Sequence, residues 1–234
     1  DAVKTVRSAG MDITIHGVLG ENDTGKSFFE IFPSIAGILE LIPDHPDRVI
    51  ITVHTYSDKT GHSDELSERT IKTVSRWVEL MDKGDLPFNV AVEINRSKGI
   101  VDPSVSCEGV MRIVEGINHG RVGVCWDMGH YYTNFKNGVA EKMPGEDFIK
   151  KVIHTHIHGI GEQGTHYPVI LPEAGFLIPY INKLKSREYK GVYNLELTFD
   201  KFFMDTPADA AALKSIDQLK FILSMEESEG TESV

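Results

Sequence analysis

Cysteine is scarce: Cys107 and Cys125 are the two in 234 residues, too few for a disulfide framework. They read as two buried thiols in a reducing cytoplasm. Long hydrophobic runs are absent too. Nothing approaches the roughly 18 apolar residues that cross a bilayer, and the N-terminal DAVKTVRSAG has no signal-peptide core. No membrane partner is expected. Positive charge is short, with 24 Lys and Arg against 35 Asp and Glu and a formal net charge of −11. Such a surface repels phosphate backbones on average, which weighs against a nucleic-acid partner, although a local basic groove is compatible with it. Linkers and low-complexity segments are also missing. Residues 1–226 therefore read as one domain followed by a polar tail at 227–234.

What is present is alternation. Strand candidates fall at Asp12–His16, Val49–His54, Asn89–Ile94, Val122–Asp127, Val152–His158 and Val192–Leu197. Helix candidates lie between them at Phe28–Leu41, Ser63–Met81, Pro103–Ile117, Phe176–Lys185 and Pro207–Met225. The third has Asp102 as an N-cap with proline in its first turn. Strands alternating with helices predict parallel βαβ units.

Parity then selects between two architectures. Successive strand residues point to opposite faces. Each strand has a bulkier apolar face, such as Val122/Val124/Trp126, Val90/Val92/Ile94 or Tyr193/Leu195/Leu197. The other face is smaller or more polar: Gly123/Cys125/Asp127, Asn89/Ala91/Glu93, Val152/His154/His156/His158 and Val192/Asn194/Glu196. The first two candidates follow suit, with Asp12/Thr14/His16 and Ile50/Thr52/His54. An open doubly wound sheet would need two apolar faces. A barrel needs one against its helices and one inside, with active residues at the C-terminal rim. The prediction is an α/β (β/α) TIM-type barrel. Only six strands are legible, and the segment before the first reads as the end of a helix. The expectation is that the first strand, first helix and second strand of a full barrel are absent, so that the sequence is a fragment or a second chain closes the gap. Open strand edges favour association, and a homo-oligomer is expected.

The polar faces end in chemistry. Glu93, Asp127, His156 and Glu196 come from four strand ends. Three carboxylates and an imidazole suit a hard or borderline divalent ion: Mn2+, Mg2+, Co2+ or Zn2+. Without a cation, three converging carboxylates would repel one another. WDMGH (126–130), HTHIHG (154–159), VAVEIN (90–95), NLEL (194–197) and LPEAGF (171–176) together resemble segments of the xylose isomerase-like barrel superfamily, which includes sugar-phosphate isomerases and epimerases and zinc-dependent apurinic endonucleases. The resemblance runs from about Asp12 to Leu197. It implies Glu93, Asp127, His156 and Glu196 as ligands of one metal, Glu93 and Glu196 as the acid/base pair, and His130 in contact with substrate. The implied activity is isomerisation or epimerisation of a small sugar, sugar phosphate or similar hydroxy-carbonyl compound through an enediolate. His154 and His158 share the face of His156, with His154 as deeper packing and His158 as a support behind the ligands.

The endonuclease branch is the competing reading. It implies further metal ligands at His16, His54, His130 and His166, but Gly164 stands where that branch has an aspartate. A third reading is a nucleotide-binding loop. Gly20–Ser27, GENDTGKS, matches G-x-x-x-x-G-K-[ST]. Glu21 and Asp23 would place two negative charges in its phosphate cradle, and the motif leaves Glu93, His156 and Glu196 without a role. A metal-binding barrel without catalytic activity is the remaining alternative. Tyr131, Tyr132 and Phe135 open a segment running to Pro144 that is expected to lie over the rim as a lid or loop.

Overall fold

The computed structural model describes residues 2–9, 11–19, 26–40, 49–162, 164–198 and 207–225, without the side chains of 26–31. The elements run α1 (Ala2–Ser8), β1 (Ile15–Gly17), α2 (Lys26–Glu40), β2 (Val49–Val53), α3 (Ser63–Lys83), β3 (Phe88–Glu93), α4 (Cys107–Ile117) and β4 (Val122–Asp127). Next come α5 (Met128–Lys136), α6 (Glu146–Lys150), β5 (Val152–Ile157), β6 (Gly159–Gly161), β7 (Gly164–Tyr167), α7 (Leu177–Lys185), β8 (Tyr193–Leu195) and α8 (Ala208–Ser224). Short 3-10 turns at Pro103–Val105 and Glu173–Phe176 lead into α4 and α7.

Six strands pair in the order β1-β2-β3-β4-β5-β8, every pair parallel. Helices cover the outside, and the sheet curls into a half-barrel, the TIM-type architecture that parity selects. The core lies between the outer strand faces and these helices. Trp126, fully buried, meets Tyr131 of α5, Phe148 of α6 and Tyr180 of α7 with ring centroids 5.1–6.2 Å apart. Phe32, Trp77 and Phe88 form a second aromatic contact joining α2, α3 and β3. Burying each such ring contributes roughly 1.5–3 kcal/mol.

The differences from the sequence reading are local. The first and last strands of this sheet are three residues each, and among the described residues each is an edge with one neighbour. As expected, the segment before β1 is helical, α1. The stretch after Asp127 is not a lid. It is helix α5, capped by the Asp127 side chain accepting from the His130 N–H at 2.7 Å, and Tyr131 lies in the core. The antiparallel hairpin β6–β7 replaces a loop. In β5 the register shifts: Val124 pairs with Val152 but Cys125 with His154. A bulge at Ile153 thus puts Val152 out of phase with His154 and His156. Cys107 is only partly buried, whereas Cys125 is buried. Of GENDTGKS, residues 20–25 lie outside the described residues, as does the tail at 227–234. No described helix is long and apolar enough to cross a membrane.

Candidate metal centre

Parallel pairing aligns the strand ends. Glu93 closes β3 beside Cys125, Asp127 closes β4 beside His156, and His156 pairs with Asn194, two residues before Glu196. His16 lies in β1, and His54 follows β2 directly. One ligand atom from each of Glu93, Asp127, His156 and Glu196 lies within 4.8 Å of the others. The four residues singled out by parity therefore converge.

Four imidazoles surround the Glu93 carboxylate, which is 1% exposed. His54 Nε2 is 3.1 Å and His16 Nε2 3.2 Å from Oε2; His156 Nδ1 is 3.5 Å from Oε2, and His130 Nδ1 is 3.5 Å from Oε1. His130 Nδ1 also lies 3.2 Å from Asp127 Oδ2, and His156 Nδ1 lies 2.9 Å from Glu196 Oε2. These atoms are close without being aligned for hydrogen bonds. Both Glu93 oxygens, His130 Nδ1, His156 Nδ1 and Glu196 Oε2 are buried and have no hydrogen-bond partner among the described residues. Buried polar atoms are almost always paired. The orphaned oxygens of Glu93 and Glu196 and the His156 nitrogen, grouped with Asp127, fit a divalent cation, which would bind these ligand atoms and neutralise the carboxylates.

Without an ion, the charges balance differently. Burial works to raise the Glu93, Asp127 and Glu196 carboxyls, but the adjacent imidazoles outweigh it and hold all three below their ordinary range. Burial works to lower His156, yet Cys125, Glu196 and Glu93 beside it raise it above the ordinary value. Burial pushes the Cys125 thiol up to about 12. His154, one layer deeper, is pushed down to about 4 by burial and by the charge of His156.

His158 is a support. Its Nε2 is 3.0 Å from Asp127 Oδ1, and its Nδ1 lies 2.9 Å from the Gly159 carbonyl oxygen and 3.1 Å from the His166 backbone nitrogen. The Gly159 oxygen can only accept, so Nδ1–H donates to it, and in the ring protonated at both nitrogens Nε2–H donates to Asp127, an assignment made from the network. Such partners orient metal-binding carboxylates. Burial alone would lower His158, but the Asp127 charge raises it. Gly129 makes this contact possible, since a Cβ there would sit 1.9 Å from the His158 ring.

Two further clusters flank the four. His16 and His54 share Glu93, and His130, His158 and His166 share Asp127. His166 Nε2 is 3.5 Å from Glu196 Oε2. All the histidines named from sequence border the centre except His154, which lies beneath it. Cys125 was missed as a neighbour of the ligands: it groups with Glu93 and His156, and its place two residues before Asp127 on the inward face was the available signal.

No protein-family model and no curated protein matches the chain. Solved structures do. One is the IolI protein with a bound zinc atom, 13% identical, with a TM-score of 0.68 over 96% of this chain and 82% of that one. A second is a D-tagatose 3-epimerase-like protein, 20% identical, TM-score 0.66, over 95% and 80%. A third is 3-keto-D-glucoside 4-epimerase from E. coli, 12% identical, TM-score 0.61, over 95% and 84%. Other matches are xylose isomerase domain proteins.

Proposed function

Starting from a chain with the xylose isomerase-like barrel fold, we propose a divalent-metal-dependent isomerase or epimerase acting on a ketose or similar hydroxy-carbonyl compound. The convergence of Glu93, Asp127, His156 and Glu196, with their orphaned buried atoms, carries this reading. The neighbours, one with bound zinc and two named as epimerase or epimerase-like, support it.

The four residues hold the ion: Mn2+, Mg2+, Co2+ or Zn2+. Once bound, it supplies Lewis acidity next to the substrate carbonyl. Glu196, whose side chain is 32% exposed, removes the proton next to the carbonyl. Glu93, 1% exposed, is the second member of the acid/base pair and returns a proton. Each transfer by a positioned group is worth about 10²–10⁴-fold. His130, close to both Glu93 and Asp127, contacts substrate, and His158 fixes Asp127. Glu196→Gln should abolish exchange of solvent deuterium into a ketose, while zinc content falls by less than in Glu93→Gln. Unchanged exchange would reject the role of Glu196.

The flanking histidine clusters favour a second reading, a zinc-dependent phosphodiesterase of the apurinic endonuclease type. Gly164 supplies no ligand where that reading needs one, and His158 is committed to Asp127. Two or three zincs per chain together with nicking of abasic duplex DNA would establish it. β1 and β8 are sheet edges among the described residues, so the proposal includes a second copy covering one of them, which light scattering would detect.

A further inference from the structure

Arg96 is half-buried, yet its guanidinium makes no hydrogen bond or ion pair among the described residues, and its Nε is closed off from water. In a chain of net charge −11, a sheltered arginine without a carboxylate is unexpected, because an unpaired buried charge is unfavourable.

Its position is fixed. Arg96 lies three residues beyond Glu93, at most about 11 Å of extended chain. The Arg96 N–H donates to Asn95 Oδ1 at 2.8 Å, and the Ser97 N–H to Asn134 Oδ1 at 2.9 Å. Asn134 Nδ2 donates back to Asn95 O at 2.8 Å, and Asn95 Nδ2 donates to Asp102 Oδ2 at 3.0 Å. From this braced loop the side chain extends to the β6–β7 hairpin. A Cβ on Gly164 would lie 2.9 Å from Arg96 Nη1. Gly164, at φ +121°, leaves that slot open, and it precedes His166 by two residues. The guanidinium therefore lies between two elements, the loop after Glu93 and the hairpin that carries His166.

We propose that Arg96 is the anion-binding subsite of this centre, and that the substrate carries a phosphate or carboxylate beside its hydroxy-carbonyl group. The inference rests on the metal-centre reading above. A guanidinium fork binds either oxyanion in two-pronged fashion. It also supplies local positive potential that an acidic surface otherwise denies an anionic substrate.

The test is titration of the metal-loaded full chain with inorganic phosphate and with acetate, in wild type, Arg96→Gln, Arg96→Lys and Lys26→Ala, with metal content and melting temperature recorded for each. The expected result is binding weakened at least tenfold in Arg96→Gln and partly kept in Arg96→Lys, with metal content and melting unchanged. Stronger binding of phosphate assigns a phosphorylated substrate, and stronger binding of acetate a carboxylated one. Equal affinity in Arg96→Gln and wild type, no binding by wild type, or loss confined to Lys26→Ala would each overturn the proposal. Absence of metal from wild type with Arg96-dependent anion binding intact would overturn the metal reading alone.

Discussion

Replacing His158 with phenylalanine separates orientation of a metal ligand from general packing. The ring volume is nearly kept, while three contacts disappear: Nε2 to Asp127 Oδ1 at 3.0 Å, Nδ1 to the Gly159 carbonyl at 2.9 Å and Nδ1 to the His166 nitrogen at 3.1 Å. Asp127 Oδ1 keeps the His130 N–H at 2.7 Å, so the carboxylate stays in place but loses its second anchor. Removing such a partner typically weakens metal binding about 10–100-fold, or about 1.4–2.7 kcal/mol. The Gly159 carbonyl beside Nδ1 is left without its donor, which costs a further ~1–3 kcal/mol of fold stability. Competition against a zinc-responsive chelating dye gives the affinity, and urea unfolding of the metal-free protein gives the stability. Both should fall. A stability loss with unchanged zinc affinity would show that His158 only fills space, and the support assigned to it would be wrong.

Gly129→Ala should reproduce the affinity loss from the other side, because its methyl group would enter the His158 ring; a Gly129→Ala protein with wild-type zinc affinity would refute the contact. Trp126→Ala should destabilise the fold by about 3–5 kcal/mol, read by urea unfolding, since its ring joins three helices; a loss below 1 kcal/mol would contradict that packing. His158 has a raised folded pKa, so the stability from its pairing with Asp127 is fully present below pH ~6.5 and is lost as pH rises through the folded value. Metal-free protein should accordingly melt at lower temperature as pH climbs above 6.5. Zinc affinity should rise with pH, because a metal binds the deprotonated His156 imidazole and releases a proton on binding. Thermal scans and dye competition across pH 6–9 would show both trends, and an upward slope for the metal-free protein would reverse the assignment.

The barrel was legible because burial enforces period two. Glu93, Asp127 and His156 share the inward parity of their strands, and the parallel register brings them to one rim. Glu196 followed the same rule although β8 ends one residue before it. Elements fixed by tertiary contacts were less legible. The helix α5 begins at a cap, Asp127, that also reads as a strand end. The β6–β7 hairpin is short, and its glycines suggest a loop. The bulge at Ile153 changes parity without a mark in composition. The role of His158 depends on a glycine 29 residues away in sequence that lets two elements approach. Arg96 carried no signal, because a charged loop residue is ordinarily solvated, and only the structure shows it sheltered and unpaired.

The central claim is that four strand-end side chains hold one ion. Anomalous diffraction at the zinc edge from crystals grown with zinc tests it directly. The account predicts a peak with ligand atoms of Glu93, Asp127, His156 and Glu196 at about 2.0–2.2 Å. A protein that takes up no zinc, or a peak bonded elsewhere while these four groups stand apart, would contradict it.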